Sequence, residues 1–262
     1  MRSAWRGVVS VLVSAVLVCV SSAPASAASS GRAVARVEVS SSRAVLAKGK
    51  TVKLEACITP AGAAKTSVTW SSSDTGVATV NSEGTVTAKR AGTAIVTATA
   101  NSGRKDSCEI VVTGYVDASA AYKQLNRFRT KKRVWYWKKG SASKKRFNKA
   151  GCAKLGKLAK SSSLVATAKK RAKEQAKAFG HTRPNGSRCF TAYPSSLSCK
   201  GENVACGYTS AGSTVRAWKE GHKKYSGQGH RRNMLDADYE YVGVAGYVAS
   251  DGVTYWCMAL GG

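Results

Sequence analysis

From Thr51 to Ile58 apolar and polar side chains alternate. Val52, Leu54, Ala56 and Ile58 fall on one face, Lys53 and Glu55 on the other. Val68 and Trp70 continue the pattern until Ser71-Ser72-Ser73-Asp74 breaks it. Further short apolar runs hold Val77, Val80, Val86, Ile95, Val96 and Ile110 to Val112. Gly49, Gly76, Gly84, Gly92 and Gly103 punctuate them at strand-and-turn spacing. Short strands with regular turn signals predict an all-β sandwich or barrel before residue 115.

The period then changes. Tyr122, Leu125 and Phe128 recur at three-residue steps, and Val165, Ala168, Ala172, Ala176 and Phe179 at three or four. These spacings predict two helices. The second should run from 163 to 179, with Ser161 to Ser163 as N-cap candidates and Gly180 just past its end. Its stripe is mostly Ala, so it must approach its neighbour closely. A further short helix is expected from about Ser213 to Trp218.

The N-terminus reads as an address. Met1 to Arg6 carries two Arg and no acid, Gly7 to Val20 is an apolar run, and Ser21 to Ala27 ends Ala-Ser-Ala. That is the form of a signal peptide over residues 1–27. The run is too short for a stable membrane span. A secreted or extracellular product is expected, retained at the cell surface if its charge finds a partner, with no transmembrane span after cleavage.

Charge sharpens this picture. The chain has 42 Lys+Arg against 14 Asp+Glu, a net +28. Residues 123 to 180 alone hold 20 basic residues and one acid, Glu174. Between Arg127 and Phe147, ten Lys and Arg interleave with Phe128, Trp135, Tyr136, Trp137 and Phe147. This composition suits either a polyanion or lipid-headgroup site, or a solvated basic face over buried aromatics. So much positive charge implies an anionic partner.

Seven cysteines remain after signal removal, and an oxidising compartment favours disulfides. An odd count leaves at least one thiol out. Cys57 and Cys108 lie near the two ends of the β segment, so a bridge between them is expected. Cys189, Cys199 and Cys206 surround residues 188 to 206, where a bridge would restrain the Glu202 loop.

The three histidines, His181, His222 and His230, all fall between residues 181 and 230. Glu202 opens Gly-Glu-Asn-Val-Ala, and Glu220 stands two residues after Trp218. Two imidazoles and two carboxylates at the ends of separate elements could hold a divalent cation or do acid–base work. No His-Glu-x-x-His helix or Gly-x-Ser-x-Gly elbow is present. Spacing alone leaves structural histidines as the alternative.

Two resemblances add to this reading. Residues 68 to 101, with Trp-Ser-Ser-Ser-Asp, Val-Ala-Thr-Val, Gly-x-Val-Thr-Ala and Gly-Thr-Ala, resemble a bacterial Ig-like domain of group two spanning 34–113. That likeness implies a spacer or adhesion module. FGHTRPNGS (179 to 187), GENVACG (201 to 207), Trp218-Lys219-Glu220, GQGHRRNML (227 to 235) and VGVAGYV…GVTYW (242 to 256) resemble the CAP superfamily of cysteine-rich secretory, antigen-five and pathogenesis-related (SCP) domains. That domain is placed at 118–262. The resemblance implies a three-layer α-β-α sandwich with a central antiparallel sheet and a large cleft. The expected fold class is therefore α+β, an Ig-like sandwich followed by a CAP unit.

Carried over residue by residue, the family's cleft tetrad is His181, Glu202, Glu220 and His230. His181 and His230 would hold a metal, zinc first, with Glu202 and Glu220 nearby. Asn203 would fix the Glu202 loop, and His222 matches no tetrad position. No organic cofactor is expected. The preferred reading is a non-enzymatic binding module for anionic cell-envelope polymers or a host surface, with no specific nucleic-acid partner. The alternatives are a metal-dependent, protease-like hydrolase using the tetrad, and a lipid or sterol carrier.

Overall fold

The computed structural model describes residues 34–61, 66–221, 223 and 227–262. The signal-peptide expectation at 1–27 and His222 lie outside the described residues. Among the described residues, no helix is long and apolar enough to cross a membrane. The chain divides into two compact units, one running to Gly114 and one comprising Tyr115–Ala249 with Val253–Gly262.

The first unit is all β. Its strands are β1 (Arg36–Val39), β2 (Arg43–Ala47), β3 (Thr51–Lys53), β4 (Ala56–Thr59), β5 (Val68–Ser72), β6 (Ala78–Val80), β7 (Thr85–Ala88), β8 (Gly92–Ala100) and β9 (Lys105–Val116). Strand β8 pairs antiparallel with β5 and β9, and β2 lies parallel to β9. The order β3-β7-β6 forms a second sheet, and β1 pairs with β4. Leu54, Val86, Val96, Ile110 and Val112 fill the space between.

Two expectations are corrected here. The alternating run from Thr51 to Ile58 is two strands, because the chain changes sheets at Leu54. That residue is buried, and its N–H donates to Gly84 O at 2.9 Å. The Cys57–Cys108 bridge is not formed. Cys108 is a free thiol buried against β8, whereas Cys57 faces Glu38 across the separate β1–β4 pair. Burial pushes the Cys108 thiol up to about 11, with Glu109 and Asp106 adding to the rise.

The second unit contains α1 (Ser119–Arg129), β10 (Trp135–Trp137), β11 (Lys144–Arg146), β12 (Ala159–Lys160), α2 (Ser162–Gln175), β13 (Lys200–Cys206), α3 (Ala211–Trp218), α4 (Gly229–Met234), β14 (Tyr241–Val248) and β15 (Thr254–Gly261). The sheet order is β13-β15-β14, with β12 parallel to β14. Side chains alternate across it. Val242, Val244, Trp256, Met258 and Leu260 join Leu125, Phe128 and Trp218 on one side. Ala245, Cys257 and Ala259 meet Leu164, Ala168 and Ala172 of α2 on the other. A sheet covered on both faces by helices gives the three expected layers.

Helix α2 begins as its sequence requires. The Ser161 hydroxyl accepts from Leu164 N, a side-chain N-cap. It stops four residues before the expected end at 179. The buried Gln175 amide folds back to bond both the N–H and the C=O of Gly180, at 2.7 and 2.8 Å. The alanine stripe does permit close approach. A Cβ added at Gly243 of β14 would lie 2.1 Å from the Leu164 carbonyl carbon.

Candidate functional site

Alternation along the edge strand β13 sends Glu202 and Asn203 to opposite faces. Glu202 turns to α2. Arg171, with its side chain fully buried, donates from Nε to Oε2 at 2.7 Å and from Nη2 to Oε1 at 3.2 Å. This is a bidentate, charge-assisted fork. Arg171 also bonds Glu174 at 2.8 Å, and Glu174 in turn accepts from Arg183 at 2.7 Å. The segment's only acid is therefore already paired. On the opposite face, the Asn203 amide donates to His230 O at 3.1 Å, and Asn233 of α4 donates to Glu202 O and Asn203 Oδ1.

Each predicted imidazole meets one predicted carboxylate. His181 Nδ1 is 2.9 Å from Glu202 Oε1, and His230 Nδ1 is 2.9 Å from Glu220 Oε1. Glu220 lies just past α3 at φ 44°, a sparsely populated conformation for a residue with a side chain. That turn aims its carboxylate at the start of α4, where Oε2 accepts from the His230 N–H at 3.0 Å. Both carboxylates are buried, so each His is fixed at Nδ1 and keeps Nε2 for other partners.

A third donor enters that the sequence reading assigned to disulfides. The short loop 182–188 closes on itself through the Thr182–Arg188 bridge, and Cys189 N donates to His181 O at 2.9 Å. The chain thereby returns Cys189 beside His181. Donor atoms of His181, Cys189 and Glu202 lie within 4.8 Å of one another, a group that could hold a metal ion. Cys189, Cys199 and Cys206 are free thiols, which corrects the expectation of a bridge restraining this loop. Hydrogen bonds from Tyr193 to Gly201 O at 2.7 Å and from Asn233 to Glu202 O hold the loop and strand instead. The signal that could have found Cys189 is its position eight residues after His181, across a Pro-Asn-Gly turn.

The cleft beside this group measures about 410 Å³ and is lined by His181, Cys189, Phe190, Arg188, Lys200, Glu202 and Asn233. Its electrostatics follow from its partners. Burial alone would raise Glu202, but the hydrogen bonds of His181 and Arg171 outweigh burial and hold its carboxyl below the usual range. The same balance, with His230 and Lys223, lowers Glu220. His181 is raised to about 9 by hydrogen bonds to Cys189 and then Glu202, against a smaller effect of burial. Burial pulls Arg171 down, yet Glu202 and Glu174 more than compensate and its guanidinium stays charged.

Comparison with known proteins places this arrangement. The sequence pattern of the cysteine-rich secretory protein family matches residues 122–260. The chain belongs to that family. Ahead of this match, residues 33–110 fit the bacterial Ig-like domain (group 2). An outer surface protein from Borrelia burgdorferi is 16% identical over 57% of this chain and 98% of that one, with a TM-score of 0.41. A cysteine-rich secretory protein from Staphylococcus aureus is 16% identical over 55% of this chain and 38% of its own, with a TM-score of 0.35. Kappa-carrageenase from Pseudoalteromonas carrageenovora is 43% identical over 81 residues, 30% of this chain and 20% of that enzyme. The chain spans no more than a fifth of the length of the curated relatives it matches. In this member of the cysteine-rich secretory protein family, Glu202 and Glu220 each orient one histidine, and Arg171 locks Glu202.

Proposed function

We propose that this chain is an exported, non-enzymatic binding module that attaches to anionic polymers of a cell envelope or host surface. One observation carries the reading. Of the 20 basic residues between 123 and 180, 17 are exposed, Lys144 is half-buried, and Arg129 and Arg171 are buried. The single acid in that stretch, Glu174, is held by two arginines. Surface charge is ordinarily interspersed with the opposite sign. No other acid lies in this stretch, which leaves the charge for a partner. The Ig-like module suits a spacer, and the signal-like N-terminus suits export.

Hydrolysis by the tetrad is disfavoured by its hydrogen bonds. Glu202 accepts from both Arg171 and His181, and Glu220 accepts from His230, Lys223 and the start of α4. Carboxylates held in this way orient their partners and make poor general bases. Binding should therefore persist in variants lacking the histidines. The test compares retention of the whole chain on envelope fragments before and after acid extraction of their anionic polymers. Equal retention on both would reject the reading.

A metal fits the cleft through this chain's nitrogen and sulfur donors. His181 Nε2 and the Cys189 thiolate match zinc chemistry, with Glu202 bonded behind His181 as an outer partner. His230, paired with Glu220, lies outside this donor group. The ion, when bound, supplies a fixed positive charge in the cleft. It must displace the proton that His181 holds up to about pH 9. Because the Cys189 thiol must also give up its proton on binding, apparent zinc affinity should rise by more than about tenfold per pH unit from pH 6 to 8. Titration calorimetry checks this, and a flat profile, or one unchanged in His181→Gln, would contradict the assignment.

A further inference from the structure

Strands β10 and β11 form a short hairpin whose two faces differ. Trp135 pairs with Arg146, Tyr136 with Lys145 and Trp137 with Lys144. Directly paired residues share a face. Trp135, Trp137, Lys144 and Arg146 therefore lie together, while Tyr136 turns to the core beside Phe147, 5.8 Å between ring centroids. The outer face opens onto a hollow of about 650 Å³, larger than the His181 cleft. Lys132, Arg133, Lys144, Arg146 and Lys149 line it with Trp135 and Asn148, and no acid does.

This hollow is built rather than a loose run of charge. Two of its lining residues, Arg133 and Asn148, hold left-handed backbone at φ 56° and 55°. Asn commonly accepts that conformation, but for Arg it is uncommon and requires support. Asn148 supplies it. Its amide donates to Arg129 O at 2.6 Å and Lys131 O at 3.0 Å, its side-chain oxygen accepts from Leu155 N at 2.7 Å, and its backbone O accepts from Arg133 N at 3.2 Å. Behind the hairpin, Arg231 of α4 donates to Trp135 O at 2.6 Å, and the buried Gln228 accepts from Trp137 N at 2.8 Å. Five cationic side chains thus surround one space on a backbone that these bonds fix.

The tryptophans hold cations. Lys144 Nζ sits 4.2 Å from the Trp135 ring centroid and 4.4 Å from that of Trp137, and Arg231 lies 5.1 Å from Trp135. Rings covered in this way leave little face for a nucleobase to stack on, the feature that single-strand binders depend on. The hollow therefore offers a ligand charge rather than open ring faces.

We propose that this hollow is a specific binding site for a linear anionic glycan, whose repeating acidic groups the five cations take up. The proposal rests on the reading of the chain as a polyanion-binding module and locates its principal contact. The test uses the full chain with a heparin-derived dodecasaccharide and a (dT)12 oligonucleotide at low salt. One variant is K144Q/R146Q/K149Q. The control, K170Q/K173Q/K177Q on and just past α2, removes the same charge elsewhere.

The expected result is a loss of about tenfold or more in glycan affinity for the hairpin variant and less than about threefold for the control. Equal losses in both variants would overturn the site while leaving diffuse charge attachment intact. Tighter binding of (dT)12 with quenching of tryptophan fluorescence would overturn the glycan assignment. No binding of the wild-type chain to the glycan would remove the underlying reading as well. All three substituted hairpin-region side chains lie outside the core, and circular dichroism confirms that each variant is folded before affinities are compared.

Discussion

Replacing Arg171 by Met should destabilise the second unit by about 3–5 kcal/mol, because it takes the guanidinium fork from the buried Glu202 carboxylate and leaves only the more exposed His181 beside it. Arg171 is fully buried and touches Glu202, Glu174 and Gly180 O. Its removal leaves the buried Glu202 with His181 as its remaining cation, while Glu174 keeps Arg183 and Gly180 O keeps Gln175. Urea titration followed by tryptophan fluorescence reads the change, since Trp135, Trp137, Trp218 and Trp256 all lie in this unit. Arg171→Lys keeps the charge and loses the fork, so it should fall between wild type and Met. Adding Glu202→Gln to Arg171→Met should recover part of the loss, because the stranded charge is gone. A single Met variant as stable as wild type would show that the ion pair does not hold this wall of the cleft.

Gly243→Ala should cost about 3 kcal/mol or more, an unusually large effect for one methyl group. The new Cβ would stand 2.1 to 2.3 Å from the carbonyl and the following nitrogen at Leu164–Val165. Those are backbone atoms of α2, which cannot turn aside as a side chain could. Helix and sheet must separate, and the Ala168 and Ala172 contacts open with them. The displacement also carries Arg171, so the cleft should loosen together with the core. Hydrogen exchange of α2 amides checks this directly. Unchanged protection would mean that the helix tolerates the shift.

These two sites show how far the chain could be read without coordinates. The alanine stripe of α2 already required a close neighbour, since small side chains fill little space. It could not name Gly243, which is some 75 residues further on and contributes only an absence of atoms. Arg171 read as one more charge in a basic run, because periodicity counts charge and cannot report which cation turns inward. Glu202, Glu220, His181 and His230 came from motif likeness, and the structure pairs each His with one Glu. For Cys189 the sequence of an exported chain suggests a disulfide without fixing its partner, whereas the loop that carries it past His181 is a tertiary fact. The helix end at Gln175 was missed for a related reason, since a side chain bonding Gly180 from five residues away leaves no periodic trace.

The aromatic-rich basic stretch was equally compatible with two roles. The structure separates the aromatics by burial. Phe128 and Phe147 are buried, and Trp135 and Trp137 are half-buried with Lys144 over their rings. The alternation of a three-residue strand decides which aromatic faces the core. The conversion of +19 over 58 residues into a mostly exposed basic surface required knowing that Glu174 was already committed to Arg171 and Arg183.

The measurement that tests the account most directly is equilibrium binding of the whole chain to a purified anionic envelope polymer across salt. Exposed cations that meet polymer charges release counterions, so log affinity should fall linearly with log salt. From 50 to 500 mM the predicted loss is about a hundredfold or more, set by the several contacts that the basic surface can make. Affinity that stays constant across that range would contradict attachment by charge.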